Sequence, residues 1–155
     1  MKRIIIPSIL MSILLCSCFT IGSATLPSAT EGYNPKKIYE KSFQDVWKVV
    51  QDVLITERIN IITQDKENKR IQTDNIQGVT QVGLLGGSIT TRYKYNIMFD
   101  SKEKNSTSIN VLATLESTSE GIDWHDISKD NIEKVKELES WLYEKIENSM
   151  NGGAK

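Results

Sequence analysis

The sequence predicts an α+β domain in which one antiparallel β-sheet carries two helices on one face, in the order β-α-β-β-β-β-α. Three observations lead there. Residues 89–100 alternate apolar and polar, the mark of a strand with one buried and one wet face. Residues 43–54 and 132–146 instead repeat their apolar positions at helical spacing. The links between the strand-like segments are too short for parallel crossovers, which take about a dozen residues or more.

The elements follow in order. Residues 37–40 form a short first strand. Ser42 to Asp45 fits a capping box, with Ser42 as N-cap and Asp45 reaching back. Phe43, Val46, Trp47, Val50, Val53 and Leu54 then make the apolar stripe of a helix of about 14 residues. Residues 58–65 are rich in β-branched side chains, Lys66-Glu67-Asn68-Lys69 is a polar turn, and residues 70–77 return as the second arm of a hairpin. In the stretch VGLLGGS, Gly83, Gly86 and Gly87 permit positive φ or close backbone approach, with Leu84 and Leu85 at the tip. It reads either as a hairpin turn whose leucines fold back on the sheet edge or as an exposed apolar finger for a partner or lipid. In the next strand Ile89, Thr91, Tyr93, Tyr95, Ile97 and Phe99 face inward, and Thr90, Arg92, Lys94, Asn96 and Met98 face outward. A polar turn over 101–106 leads to a last strand with Ile109, Val111, Ala113 and Leu115 inward. After the loop GIDWHDIS a long helix runs from about Lys129 to Asn148, with Ile132, Val135, Leu138, Leu142 and Ile146 as its stripe and Trp141 beside it.

The N-terminus has a different character. Met1-Lys2-Arg3 precedes an apolar run, residues 4–15, too short for a spanning helix, which needs about 20 residues. This is the layout of an export signal. The chain's two cysteines, Cys16 and Cys18, stand one residue apart, where a disulfide is strained, and two thiolates are too few for a metal. Leu15-Cys16-Ser17-Cys18 resembles a bacterial lipobox, which makes residues 1–17 a signal peptide and Cys18 the lipidated residue. Ordinary cleavage at Gly22-Ser23-Ala24 is the alternative. Phe19 after the cysteine, rather than Asp, resembles lipoproteins sorted to the outer membrane, on its periplasmic face. Residues 18–35 are small, polar and Pro/Gly-containing, a flexible tether to a single domain at 36–150. Removing residues 1–17 takes two of the 19 basic residues and none of the 20 acidic ones, leaving a net charge of −3 that does not suggest nucleic-acid binding.

Little catalytic chemistry is visible. The one histidine, His125, lies in Asp123-Trp124-His125-Asp126, a cluster that reads as a metal or acid/base site or, more simply, as a loop leading into the last helix. There is no calcium loop, nucleophile elbow, phosphate loop or dinucleotide fingerprint, and no cofactor is implied. The chain therefore reads as a non-enzyme. Trp124 closes one end of a groove between sheet and last helix, or simply packs.

Residues 42–74, SFQDVWKVVQDVLITERINIITQDKENKRIQTD, resemble the opening of the BamC-type accessory lipoproteins of the outer-membrane β-barrel assembly machinery. The shared pattern is a helix with a central Trp, here Trp47, followed by Ile61, Asp65, Ile71 and Thr73 at the family's spacing. The resemblance implies a helix-grip domain over about residues 36–148 and a role in protein–protein interaction during envelope assembly, with other envelope proteins as partners. Leu84, Leu85 and Trp124 are then the candidate partner-binding residues. A helix-grip sheet also encloses apolar ligands in some proteins, so a lipid or small-ligand carrier is the alternative. Tight packing of Tyr93, Tyr95 and Phe99 against Leu138 and Leu142 would favour the adaptor, and a gap there the carrier.

Overall fold

The computed structural model describes residues 36–82, 87–119 and 121–152. In chain order these form β1 (Lys36–Tyr39), α1 (Phe43–Thr56), β2 (Ile61–Asp65), β3 (Arg70–Thr73), β4 (Ile76–Val82), β5 (Ser88–Glu103), β6 (Ser106–Thr118), β7 (His125–Asp126), a 3-10 turn (Lys129–Asn131) and α2 (Ile132–Gly152). The class is α+β, with an antiparallel sheet and two helices, as the patterning predicts.

Each helix has a local cause. Ser42 sits in extended conformation and its hydroxyl accepts from the Asp45 amide at 3.2 Å, satisfying one of the free N–H groups of the first turn. The Asp45 carboxylate accepts from the Ser42 hydroxyl at 2.7 Å rather than reaching a backbone amide. Helix α1 ends where Arg58 adopts φ +58°, with Arg58 N donating to Ile55 O and Ile59 N to Leu54 O. That is a Schellman ending with arginine where glycine is usual, held by the buried Ile59 packing back toward Leu54.

Strands β5 and β6 form the spine, in register from Thr90↔Thr118 to Asp100↔Ser108. The order across the sheet is β1-β6-β5-β3-β2, with β4 also on β5 and β7 also on β6. Where one strand is expected over 70–77, the chain breaks at Asp74-Asn75 into β3 and β4: Asp74 N still bonds Asn60 O, next to the Ile61↔Thr73 pair, but pairing with β5 stops at Gln72↔Asn96 and resumes only at Ile76↔Tyr93. Strand β4 extends through Val82, opposite Ser88, so residues 78–82 are strand rather than loop. At Gly78–Val79 it bulges. The Thr91 hydroxyl fills the bulge, bonding both N and O of Val79, and stands where a Cβ on Gly78 would be, at 2.5 Å.

One core joins both helices to one face of the sheet. Val46, Trp47, Val50 and Leu54 of α1 meet Ile71, Tyr95, Ile97, Phe99, Ile109 and Val111 of the strands and Leu142, Tyr143 and Ile146 of α2. Each such side chain contributes about 1.5–3 kcal/mol on burial. Two expectations fail at the margins. Ile89 and Ile132 are exposed, because the sheet's core face and the stripe of α2 both run past the ground the two helices cover. In their place α2 buries Glu139, Tyr143 and Met150.

Candidate interaction surfaces

The helix-free face of the sheet carries the outward residues of β5 and β6. Arg92 and Lys94 project from β5 beside Glu116 of β6, whose register partners are Arg92 and, on β7, Asp126. Arg92 Nε donates to Glu116 Oε2 at 2.6 Å and Lys94 Nζ to Oε1 at 3.1 Å. Burial alone would raise the Glu116 carboxyl, but the hydrogen bonds and charges of Arg92 and Lys94 outweigh it and hold its pKa below the ordinary value. The Arg92 guanidinium lies over the Trp124 ring, 3.9 Å from its centroid.

Trp124 thus belongs to this face and not to a groove between sheet and α2. It is half-buried and placed by β7, where Ser128 N donates to the Asp126 carboxylate at 2.8 Å. That bond draws the Asp126 pKa down. An indole stacked under a guanidinium that Glu116 holds in place is a platform of mixed character. It suits aromatic stacking or hydrogen bonding with a partner. His125, next in sequence, is exposed, and among the described residues no group of three His, Cys, Asp or Glu side chains is arranged to hold a metal.

Cys18, Leu84 and Leu85 lie outside the described residues. On either side of the two leucines, Val79, Val82 and Ile89 are exposed. Arg92, Lys94 and Glu116 are members of the Trp124 platform that patterning alone does not single out. Alternation puts Arg92 and Lys94 outward, but only the register shows that Glu116 lies between them and Trp124 above.

The seam between sheet and α2 is occupied. Tyr95 is 1% exposed and its hydroxyl donates to Leu138 O at 3.1 Å. Tyr93 meets Tyr95 edge-on at 5.6 Å, and Phe43, Trp47 and Phe99 form a three-ring cluster with centroids 5.0–5.8 Å apart. Burial raises the pKa of Tyr95 and, at the β1 edge, of Tyr39. Among the described residues no helix is long and apolar enough to cross a membrane. Compared with known protein families the chain matches none, and no curated protein matches it.

Proposed function

We propose that this chain is a lipoprotein anchored through Cys18 to the periplasmic face of the outer membrane, and that its domain is a non-catalytic protein-interaction module in envelope or outer-membrane protein assembly. In this reading residues 1–17 are the signal peptide, 18–35 the tether and 36–150 a helix-grip-like domain of the kind the BamC-type resemblance implies. Trp124 on its Arg92–Glu116 mount meets the partner.

The observation that carries the adaptor reading over a carrier is the contact between Tyr95 and the Leu138 carbonyl. A carrier needs space between sheet and last helix, and here a buried tyrosine spans it. The test is gentle-detergent copurification of the full-length protein from its host, read by mass spectrometry, with Cys18→Ala and Trp124→Ala as comparisons. The adaptor reading expects envelope subunits with the native chain, their loss with Cys18→Ala, and weaker recovery with Trp124→Ala. Recovery of a bound lipid and no protein would overturn it.

A further inference from the structure

Five of the exposed aliphatic side chains gather at one end of the sheet. Val79, Val82 and Ile89 belong to the β4–β5 hairpin, whose last pair, Val82↔Ser88, lies beyond the final β5–β6 pair, Thr90↔Thr118. Ile122 follows the end of β6, in the loop that β7 closes by pairing back on Glu116 and Ser117. Ile132 opens α2 beside the same end, since Ile127 N and the Ser128 hydroxyl both bond Leu115. Among the described residues Val82 and Ile122 are the most open of the large apolar side chains, at 76% and 78% exposure. Three separate segments thus place aliphatic groups at one end, Val82 beside Ser88 on the helix-free face and Ile89 beside Gln81 on the core face, which is more than scattered surface apolar residues require.

The direction of β1 says what meets that end. Lys36 pairs with Asn110 and Tyr39 with Thr107, so the N-terminal end of β1 points along β6 toward Thr118 and the apolar end. From Asn110 to Thr118 is about 27 Å at the strand rise. The 18 residues from Cys18 to Pro35 span up to ~60 Å, ample to place an anchor at Cys18 beyond this end.

We infer that this end of the sheet docks on the phospholipid surface that holds Cys18, with Val79, Val82, Ile89, Ile122 and Ile132 set against the acyl-chain boundary. The inference rests on the anchoring proposed above. Lipid fits the arrangement because aliphatic tips carried on three separate segments suit a deformable apolar surface better than a shaped one. Docking would turn the Arg92–Trp124 face sideways to the membrane, open to a partner.

The test uses the full-length acylated protein, purified from host membranes and reconstituted into phosphatidylethanolamine–phosphatidylglycerol vesicles. Amide exchange is compared with that of the Cys18→Ala chain in buffer, and vesicle flotation is recorded for both. The expected result is flotation of the acylated chain, with exchange over 76–82 and 121–128 slowed at least ~3-fold and exchange over 53–62, which carries the exposed Ile55 and Ile62, unchanged. The double variant Val82→Glu, Ile122→Glu, at two open positions that the fold does not use, should float and lose the protection. Flotation without protection would overturn the docking and leave the anchor standing. Absence of flotation would overturn both. Protection that disappears when the protein is diluted tenfold within the vesicles would mean a second copy covers the end, and would also overturn lipid docking.

Discussion

The outer edges of β5 and β6 are finished in different ways. Along β5, strand β3 pairs with residues 96–98 and strand β4 takes over at Tyr93, leaving a short gap. One side chain closes it: the Tyr95 amide donates to the buried Thr73 hydroxyl at 2.9 Å. Along β6, β1 stops at Asn110 and β7 begins at Glu116, a gap of five residues. Here α2 and its approach supply the partners. Val111 N donates to the Tyr143 hydroxyl at 2.9 Å, and that hydroxyl donates to Ile109 O at 3.1 Å. Ala113 N donates to Glu139 Oε1 at 3.0 Å, and Leu115 N to the Ser128 hydroxyl at 2.9 Å. A short gap is closed by a neighbouring threonine. A long one needs an element lying over it, so α2 is set in place by polar bonds as well as by its apolar stripe. A strand edge left open would be a template for unwanted pairing, and α2 removes it.

Four variants test how differently the two edges are held. Glu139→Leu should cost most, about 1.5–3 kcal/mol in denaturant unfolding, because it removes a charged acceptor and leaves the Ala113 amide buried without one. Native-state exchange at Ala113 should quicken accordingly. Tyr143→Phe should cost about 1–2 kcal/mol at neutral pH, since it deprives Val111 N and Ile109 O together.

The same tyrosine sets an alkaline limit. Burial lifts its pKa from 10.0 to about 12; the bond from Val111 N opposes the rise and Glu139 adds to it. A group raised in the folded state contributes its full stability below the unfolded value and loses it as pH rises through the folded one. Stability measured from pH 10 to pH 12 should therefore fall, by roughly 2–3 kcal/mol from this residue, and the Tyr143→Phe protein should lack that share. Tyr39 and Tyr95, raised in the same direction, keep theirs in the variant.

Thr73→Val should cost about 1 kcal/mol, a methyl replacing the hydroxyl that serves Tyr95 N at nearly constant volume. Tyr39→Phe should change stability by less than ~0.5 kcal/mol or raise it slightly, because the Tyr39 hydroxyl is buried with no hydrogen-bond partner among the described residues. If Tyr39→Phe and Tyr143→Phe cost the same, the assignment of Tyr143 to the edge is wrong.

The main elements are legible in the sequence because each repeats a period long enough to fix a face. Helix α1 runs Phe43–Thr56 as its stripe and Ser42 cap predict, and β5 and β6 alternate as expected through their central parts. What patterning misses has a common cause. On a helix rich in Glu and Lys, Glu139 reads as one more solvated charge, and nothing local says that Ala113 lies beneath it. Strand β7 is two polar residues, too short for any period. The split at Asp74-Asn75 lies where the pairing with β5 passes from β3 at Asn96 to β4 at Tyr93, and no period in the sequence marks that point. The Trp124 platform depends on β5–β6–β7 register in the same way. Ile89 and Ile132 show the converse error: they keep the right period but project beyond the layer that would cover them.

Strand β1 also has a mechanical aspect. It is an outer strand, joined to β6 over only four residue pairs, and it is where a pull applied at Lys36 would enter the sheet. Because β1 is antiparallel to β6 and its N-terminal end points toward the hairpin end, a pull in that direction runs along the strand axis. The bonds to β6 are then loaded together in shear instead of opening one at a time like a zip. Beyond the strand, the Thr107 hydroxyl donates to Lys41 O, and Lys37 pairs with Glu147 of α2, so the load passes into both the sheet and the last helix. A pull at right angles, lifting Lys36 away from Asn110, would peel the same strand pair by pair, and the domain should yield at a much lower force in that direction.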